Sequence, residues 1–132
     1  MLSLNCQSIN AKFSQIELMV NFLKSKELFI DVICLQECWL DKTCDTSLFE
    51  LDDYNMISQS KKCCGHGGLI TFVKKQYSYK KKSLYNSSDL WEGLFVDISR
   101  PELNKNILIG NIYRPPKFNN NNLTVIPKFK ES

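Results

Sequence analysis

The first third of the chain changes its hydrophobic period twice. Leu2–Asn5 is a short apolar segment followed by polar residues, which predicts a strand that runs into a loop. In residues 12–28 the apolar side chains recur every three or four positions, which predicts one face of a helix with Ser14 or Asn10 as its N-cap. Residues 31–36 form a dense apolar run, typical of a buried strand. We therefore expect a strand, a helix and a strand joined by a right-handed crossover.

The remainder of the chain predicts strands and no second helix. The last two predicted strands are joined through Pro101, which favours a turn. Together these patterns predict the α/β class, with one mixed, mostly antiparallel sheet and an N-terminal crossover helix. The predicted strands of this second part are residues 54–58, 69–73, 77–85, 92–98 and Asn106–Tyr113.

Length and composition indicate a single packed domain. The chain has 132 residues, of which 43% are hydrophobic. No apolar run approaches the roughly 20 residues that a membrane span needs, and the first residues do not have the pattern of a signal peptide. We expect an intracellular protein without a membrane partner, with nucleus and cytoplasm both open. Residues 1–118 are the predicted domain, and residues 119–132, which contain an asparagine run, are predicted to be a disordered polar tail.

The net charge of +3 is too small to indicate a nucleic-acid partner by itself. A group of lysines at Lys74, Lys75 and residues 80–82 has two interpretations. It can contact phosphates, or it can mark a solvated edge strand that avoids pairing with another chain. Taken alone, the lysines favour the edge strand.

The six cysteines do not indicate a disulfide framework, because no secretion signal accompanies them. A zinc site that includes His66 is a weaker alternative, since the paired C-x-x-C spacing of structural zinc sites is missing. Cys6 and Cys34 lie in or beside apolar runs and are expected to pack as small hydrophobic residues.

Three strands are each followed or ended by a polar side chain. Asn5 ends the first strand, Glu37 follows the second, and Tyr113 ends the last, with Arg114 after it. Since loops at strand ends build the active sites of α/β sheets, we expect these residues on one rim. Glu37 is either a ligand of a hard cation such as Mg²⁺ or a capping or salt-bridged glutamate. Taken singly, Asn5 fits a turn and Tyr113 fits the core.

Four motifs in order carry a family resemblance. They are SLNCQS, LQECW, GGLITFVK and GNIYRPP. In this order they resemble the endonuclease/exonuclease/phosphatase superfamily, which has the DNase-I-like fold. They look most like the endonuclease domain of non-LTR, LINE-type retrotransposons. The resemblance covers about residues 2–118, which correspond to the N-terminal half of the family domain.

The resemblance implies half of a four-layer αββα sandwich and Mg²⁺-dependent hydrolysis of DNA phosphodiester bonds. Glu37 matches the family's metal ligand, and Asn5 and Gln7 match positions beside the metal. Tyr113 matches the tyrosine that contacts the scissile phosphate, so Tyr113 and Glu37 are the expected catalytic pair. Arg114 matches a position that contacts the nucleic-acid backbone, and Lys74 and Lys75 are expected to add to that contact. No role carries over to His66.

The chain also departs from the family pattern. It contains neither the G-D-x-N segment nor the S-D-H segment that complete the family's site, so we expect a half-site with a weak magnesium site and no useful hydrolysis. The inner face of its sheet is expected to lack a partner sheet and to favour self-association. The residues assigned to that face are Leu69, Thr71, Val73, Phe95 and Ile109.

Two other functions stay open. One is a fragment of a phosphatase or phosphodiesterase that acts on small molecules or lipids. The other is a non-catalytic module that binds nucleic acid or another partner through phosphate contacts.

Overall fold

The chain opens with two parallel strands joined by one helix. The computed structural model describes residues 1–40, 44–60, 67–83, 91–102 and 104–114. In these residues β1 is Leu2–Asn5, α1 is Ile9–Ser25 and β2 is Val32–Gln36. β1 and β2 are parallel neighbours, so the predicted strand–helix–strand unit is confirmed.

Helix α1 begins earlier than the sequence predicted. Its N-cap is Ser8, whose Oγ accepts a backbone N–H of the first turn at 3.4 Å. The predicted caps Ser14 and Asn10 are wrong, because Ile9 already belongs to the apolar face and is completely buried. The helix ends at Ser25. In the described part of the chain, no helix is both long enough and apolar enough to cross a membrane.

The first sheet contains four strands in the order β1-β2-β4-β3. β3 is Tyr54–Gln59 and β4 is Leu69–Lys74. β4 lies between β2 and β3 and is antiparallel to both, so the sheet is mixed, as predicted. A single 3-10 turn, Thr46–Leu48, precedes β3 and was not predicted.

A second sheet holds the remaining strands, in the order β5-β6-β7, all antiparallel. β5 is Ser78–Lys82, β6 is Glu92–Ser99 and β7 is Asn106–Tyr113. The prediction of a single sheet is therefore wrong. β2 and β4 carry apolar side chains on both faces of the first sheet. Helix α1 can cover only one face, so the other face requires a second layer.

The side chains of β2 and β4 alternate between two cores. Ile33 and Leu35 of β2 face the core beneath α1, where they meet Ile9 and Ile16. The opposite face of the first sheet packs against the second sheet. That second core contains Val32, Cys34, Ile57, Leu69, Val73, Tyr77, Leu94, Val96 and Ile98. The described residues thus form three layers, a helix and two sheets.

The residues of β4 that were expected to lie on an open apolar face are covered by the chain's own second sheet. Leu69, Thr71 and Val73 have no exposed surface, so the expectation that this face lacks a partner sheet, which was the reason to expect self-association, is wrong. Phe95 alternates with Leu94 and Val96 of the core between the sheets and therefore lies on the other face of β6. The exposed aliphatic side chains of the second sheet lie instead on β7, at Ile107, Leu108 and Ile112, with 41%, 50% and 43% exposure. The predicted domain end at residue 118 and the tail after it lie outside the described residues.

Candidate active site

One end of the two-sheet sandwich collects polar side chains from both sheets. We call it the rim and define it by Asn5, Gln36, Glu37, Glu92 and Tyr113. Asn5 lies opposite Gln36 in the parallel pair β1–β2, and Glu92 lies opposite Tyr113 in the antiparallel pair β6–β7. The three strand ends that the sequence predicted to share a rim therefore do share one.

Glu37 and Tyr113 are in direct contact across the two sheets. The Tyr113 hydroxyl donates a hydrogen bond to Oε1 of Glu37. Both side chains are partly buried. An ionised carboxylate has about four acceptor positions, so this bond orients Glu37 and leaves capacity for further donors or a cation.

The two loops that carry the predicted ligands have unusual backbone conformations. Gln7 and Ser8 follow β1 with φ of 46° and 91°, and Glu37 and Trp39 follow β2 with φ of 52° and 56°. Each such non-glycine residue costs on the order of 1–3 kcal/mol, and residues of this kind cluster at functional sites. The Ser8 N–H donates to the Glu37 carbonyl at 2.9 Å, which ties the two loops together.

Asn111 is a rim-side residue that the sequence motifs do not single out. It lies on the inner face of β7 and is only 1% exposed. Its Nδ2 donates to the carbonyl oxygens of Leu35 at 3.2 Å and Ile70 at 3.1 Å. Its Oδ1 accepts from Gln36 Nε2 at 2.7 Å. An amide among the apolar residues of β7 was the available signal, because a buried polar group needs partners.

Glu92 is a second residue that was missed. It begins β6 and is 4% exposed, and its Oε1 accepts the backbone N–H of Gly68 at 2.8 Å. The signal was a carboxylate at the head of an apolar strand, since carboxylates are rarely buried without a partner.

The remaining predicted site residues lie near the rim at the surface. Asn5 and Gln7 are exposed on the loop side of β1, and Arg114 is exposed directly after Tyr113. All three therefore lie at the same end of the sandwich as Glu37.

The predicted lysines do not lie at the rim. Lys74 ends β4, whose first residue is at the rim, so about five residue steps of roughly 3.3 Å separate them. Lys74 Nζ lies 4.8 Å from the centre of the Phe29 ring, and the Lys75 N–H donates to the Asp53 carbonyl at 2.8 Å. Lys12 of α1 lies nearer the rim, because it lines a shallow cleft with Asn5.

The other lysines of the group belong to an edge strand, as the sequence favoured. Residues 80–82 lie on β5, which has β6 as its neighbour and ends the sheet order of the described strands. Lys81 Nζ donates to the Ser58 carbonyl at 3.1 Å, so it bridges β5 to β3 near the rim end.

A pair of buried thiols lies under the Glu37 loop. Cys6 Sγ donates to Cys38 Sγ at 3.7 Å. The contact lowers the pKa of Cys6, because the Cys38 S–H can turn to donate to the sulfur once Cys6 is ionised. The same contact raises the pKa of Cys38, and burial raises it further. Cys34 is buried between the sheets, as expected for a small hydrophobic residue.

The described residues contain no group of three potential metal-binding side chains from His, Cys, Asp and Glu. The cysteines and histidine at positions 63, 64 and 66 of the zinc alternative lie outside them. For magnesium, the rim offers the partly exposed carboxylate of Glu37 and the exposed amides of Asn5 and Gln7, whereas the Glu92 carboxylate is buried and accepts the Gly68 N–H. This donor set fits a weak Mg²⁺ site, because Mg²⁺ keeps several waters and commonly binds through one or two carboxylates and substrate phosphates.

Comparison of the chain with models of known protein families finds no match, and no curated protein matches it significantly. The function proposed below is therefore supported by the residues, their order and their geometry.

Proposed function

We propose that this chain is part of a Mg²⁺-dependent phosphodiesterase domain of the endonuclease/exonuclease/phosphatase superfamily. In this proposal its rim binds one divalent cation and the phosphate backbone of DNA, and hydrolysis by these 132 residues alone is negligible. The observation that carries the proposal is the hydrogen bond from the Tyr113 hydroxyl to Glu37. The two residues that the family motifs single out are 76 positions apart in the sequence, yet their side chains touch.

Glu37 would hold the cation, with Asn5 and Gln7 as neighbouring oxygen donors or as hydrogen-bond partners of its waters. Bound Mg²⁺ stabilises the negative charge that develops on a phosphodiester under attack by water. Tyr113 orients Glu37 through its single hydroxyl proton, and that proton would be donated to a phosphate oxygen instead once Glu37 holds the cation. Arg114 and Lys12 are exposed at the same end and supply positive charge for the flanking phosphates.

The chain does not contain the groups that would complete such a reaction. It has one histidine, His66, and neither of the family's acidic segments. Nothing in the sequence matches a base that orients the attacking water. Removing one preorganised group lowers the rate by a factor of order 10² to 10³. The chain would therefore keep cation and phosphate binding and lose hydrolysis.

A plasmid assay tests the catalytic part. We expect the purified chain in MgCl₂ to nick supercoiled plasmid no more than a protein-free control does. Glu37→Ala should give the same result. Nicking by the wild type that disappears in Glu37→Ala would show that these residues suffice for catalysis.

Calorimetry tests the metal. We expect heats of Mg²⁺ binding that do not saturate at one equivalent and that Glu37→Gln abolishes. Tight stoichiometric binding would contradict the weak site, and binding unchanged by Glu37→Gln would place the cation elsewhere.

The second candidate function is phosphate-backbone binding without catalysis, which the exposed cations at the rim favour. Lys12→Ala and Lys75→Ala remove the same charge at opposite ends of the first sheet. We expect Lys12→Ala to weaken binding of a short DNA duplex. The slope of log K against log salt concentration should fall by about one, the change expected for one lost phosphate contact. Lys75→Ala should change neither. Equal effects of the two variants would indicate nonspecific attraction instead of a rim site.

A further inference from the structure

Glu92 is a buried carboxylate with one oxygen that has no hydrogen-bond partner in the described part of the chain. It is 4% exposed. Oε1 accepts one hydrogen bond, from Gly68 N–H at 2.8 Å, and Oε2 has no hydrogen-bond partner among the described residues. A carboxylate buried with an unsatisfied oxygen costs stability. Among the described residues, the hydrogen bond from the Gly68 N–H identifies the backbone group that Glu92 holds.

Gly68 connects Glu92 to the loop that carries Glu37. The Gly68 carbonyl accepts the Cys38 N–H at 3.1 Å, and the Gly67 carbonyl accepts the Leu40 N–H at 2.9 Å. These two bonds hold the backbone immediately after Glu37.

Gly68 is also the residue type that this close approach requires. Its φ is +111°, and a Cβ at this position would lie 2.8 Å from the Leu40 Cβ. Because Gly68 has no side chain to anchor it, the Glu92 carboxylate is the side-chain contact that fixes its N–H.

A second connection runs through the strand partner of Glu92. Glu92 lies opposite Tyr113 in the β6–β7 pair, and the Tyr113 hydroxyl donates to Glu37. Glu92 thus neighbours both the Gly68 backbone, which holds the loop after Glu37, and Tyr113, which holds the Glu37 side chain.

We propose that Glu92 is a positioning residue for Glu37, which acts by holding the Gly67–Gly68 backbone against residues 38–40. This inference rests on the proposed function for its consequence, cation binding at Glu37. The hydrogen-bond relay itself is independent of that function.

The test compares three substitutions of Glu92. Glu92→Gln keeps an oxygen that accepts the Gly68 N–H, Glu92→Ala removes it, and Glu92→Asp keeps the charge but withdraws the oxygen by one methylene. Gln59→Ala is the control for the loss of a different side-chain hydrogen bond, because Gln59 Nε2 donates across the sheets to Gly93 O at 3.0 Å.

The first readout is amide hydrogen exchange by NMR at Gly68, Cys38 and Leu40. We expect exchange at least about tenfold faster in Glu92→Ala and Glu92→Asp, and near wild-type exchange in Glu92→Gln. Gln59→Ala should lower the Tm without selective exposure of these amides. Unchanged protection in the Ala and Asp variants, or an equal loss in Gln59→Ala, would overturn the proposal. If Glu92→Ala does not fold, the proposal is decided by comparing the exchange rates of these amides in Glu92→Asp and Glu92→Gln.

The second readout is the shift of the Glu37 amide resonance on titration with MgCl₂. We expect the midpoint to rise at least about tenfold in Glu92→Asp and to stay within about twofold of wild type in Glu92→Gln. A wild type that shows no Mg²⁺-dependent shift would refute the cation site, whereas the exchange experiment would still decide the role of Glu92.

Discussion

The side-chain amide of Asn111 in β7 donates to the carbonyl oxygen of Leu35 in β2 at 3.2 Å. Strand β7 of the second sheet is thereby hydrogen-bonded to β2, an inner strand of the first sheet. The contact lies close to Glu37 and Tyr113. The carbonyl that accepts this hydrogen bond is held in place by the strand pairing of the first sheet. The Asn111 amide therefore fixes the position of β7 over the first sheet near the rim.

Asn111→Ala should destabilise the fold strongly. The substitution removes the donors to two backbone carbonyls and to Thr71 Oγ1 at 3.3 Å, and it leaves Gln36 without its 2.7 Å acceptor. We expect a loss of about 2–4 kcal/mol in urea unfolding. Asn106→Ala, at the exposed far end of the same strand, is the control and should cost less than about 1 kcal/mol. Similar losses for both variants would argue against a special role of Asn111.

Gly68→Ala should be one of the most damaging small substitutions. Its positive φ and the 2.8 Å approach of the new Cβ to Leu40 both oppose any side chain. We expect a loss of about 2–5 kcal/mol. Gly110→Ala is the comparison, since its Cβ would meet the ring edge of Phe95 at 2.9 Å, and a ring can shift. A smaller loss for Gly68→Ala than for Gly110→Ala would contradict this account of the loop.

Tyr54 should make stability fall at alkaline pH. Burial raises the pKa of its hydroxyl above the ordinary value of 10.0, and the nearby Asp31 and Asp53 charges raise it further. The folded state then keeps the proton longer than the unfolded state, so this contribution is complete below pH 10 and is lost as the pH rises through the folded pKa.

Thermal unfolding between pH 8 and 11 measures the effect. Tyr54→Phe should remove part of the alkaline decrease in Tm and cost about 1 kcal/mol at neutral pH, because the Ile30 carbonyl loses the Tyr54 hydroxyl as its donor. Tyr79→Phe, at a side chain with 42% exposure, should leave the pH profile unchanged. An alkaline decrease that persists in full in Tyr54→Phe would assign it to another group.

Cys38→Ala should raise the pKa of the Cys6 thiol. The Cys38 thiol stabilises the Cys6 thiolate and lowers its pKa, and the thiolate is the form that reacts with iodoacetamide. Without Cys38, the rate of Cys6 alkylation, followed by mass spectrometry, should reach its half-maximum at a higher pH. Cys34→Ala removes a buried thiol outside the pair and should not move the Cys6 profile. A Cys6 profile that is the same in Cys38→Ala and wild type would show that the contact does not control its ionisation.

Local pattern was enough to predict most of the elements. The short apolar start gave β1, and the apolar run before Gln36 gave β2, within one residue of their observed bounds. The period of three to four predicts α1 from residue 12, whereas the helix begins at Ile9, one turn before Phe13 on the same apolar face. These elements were predictable because periodicity depends on residues that are close in sequence.

The approximate location of the candidate site was also predictable. Glu37 and Tyr113 each follow or end an apolar run, and strand ends of one sandwich meet at a shared rim. Their direct hydrogen bond was not predictable, since it depends on how far one sheet slides over the other.

Tertiary structure alone decided how the strands were shared between two sheets. The sequence shows that β2 and β4 need cover on both faces, but β5, β6 and β7 carry no local mark of the sheet they join. Likewise, Lys74 and Lys75 are close in sequence to residues 80–82, yet the length of β4 carries them to the end of the sandwich away from Glu37. Asn111 and Glu92 acquire their roles only when partners from distant segments surround them. Pairing between distant segments is a property of the whole packed core, because each strand is placed by the apolar area that all the others leave uncovered.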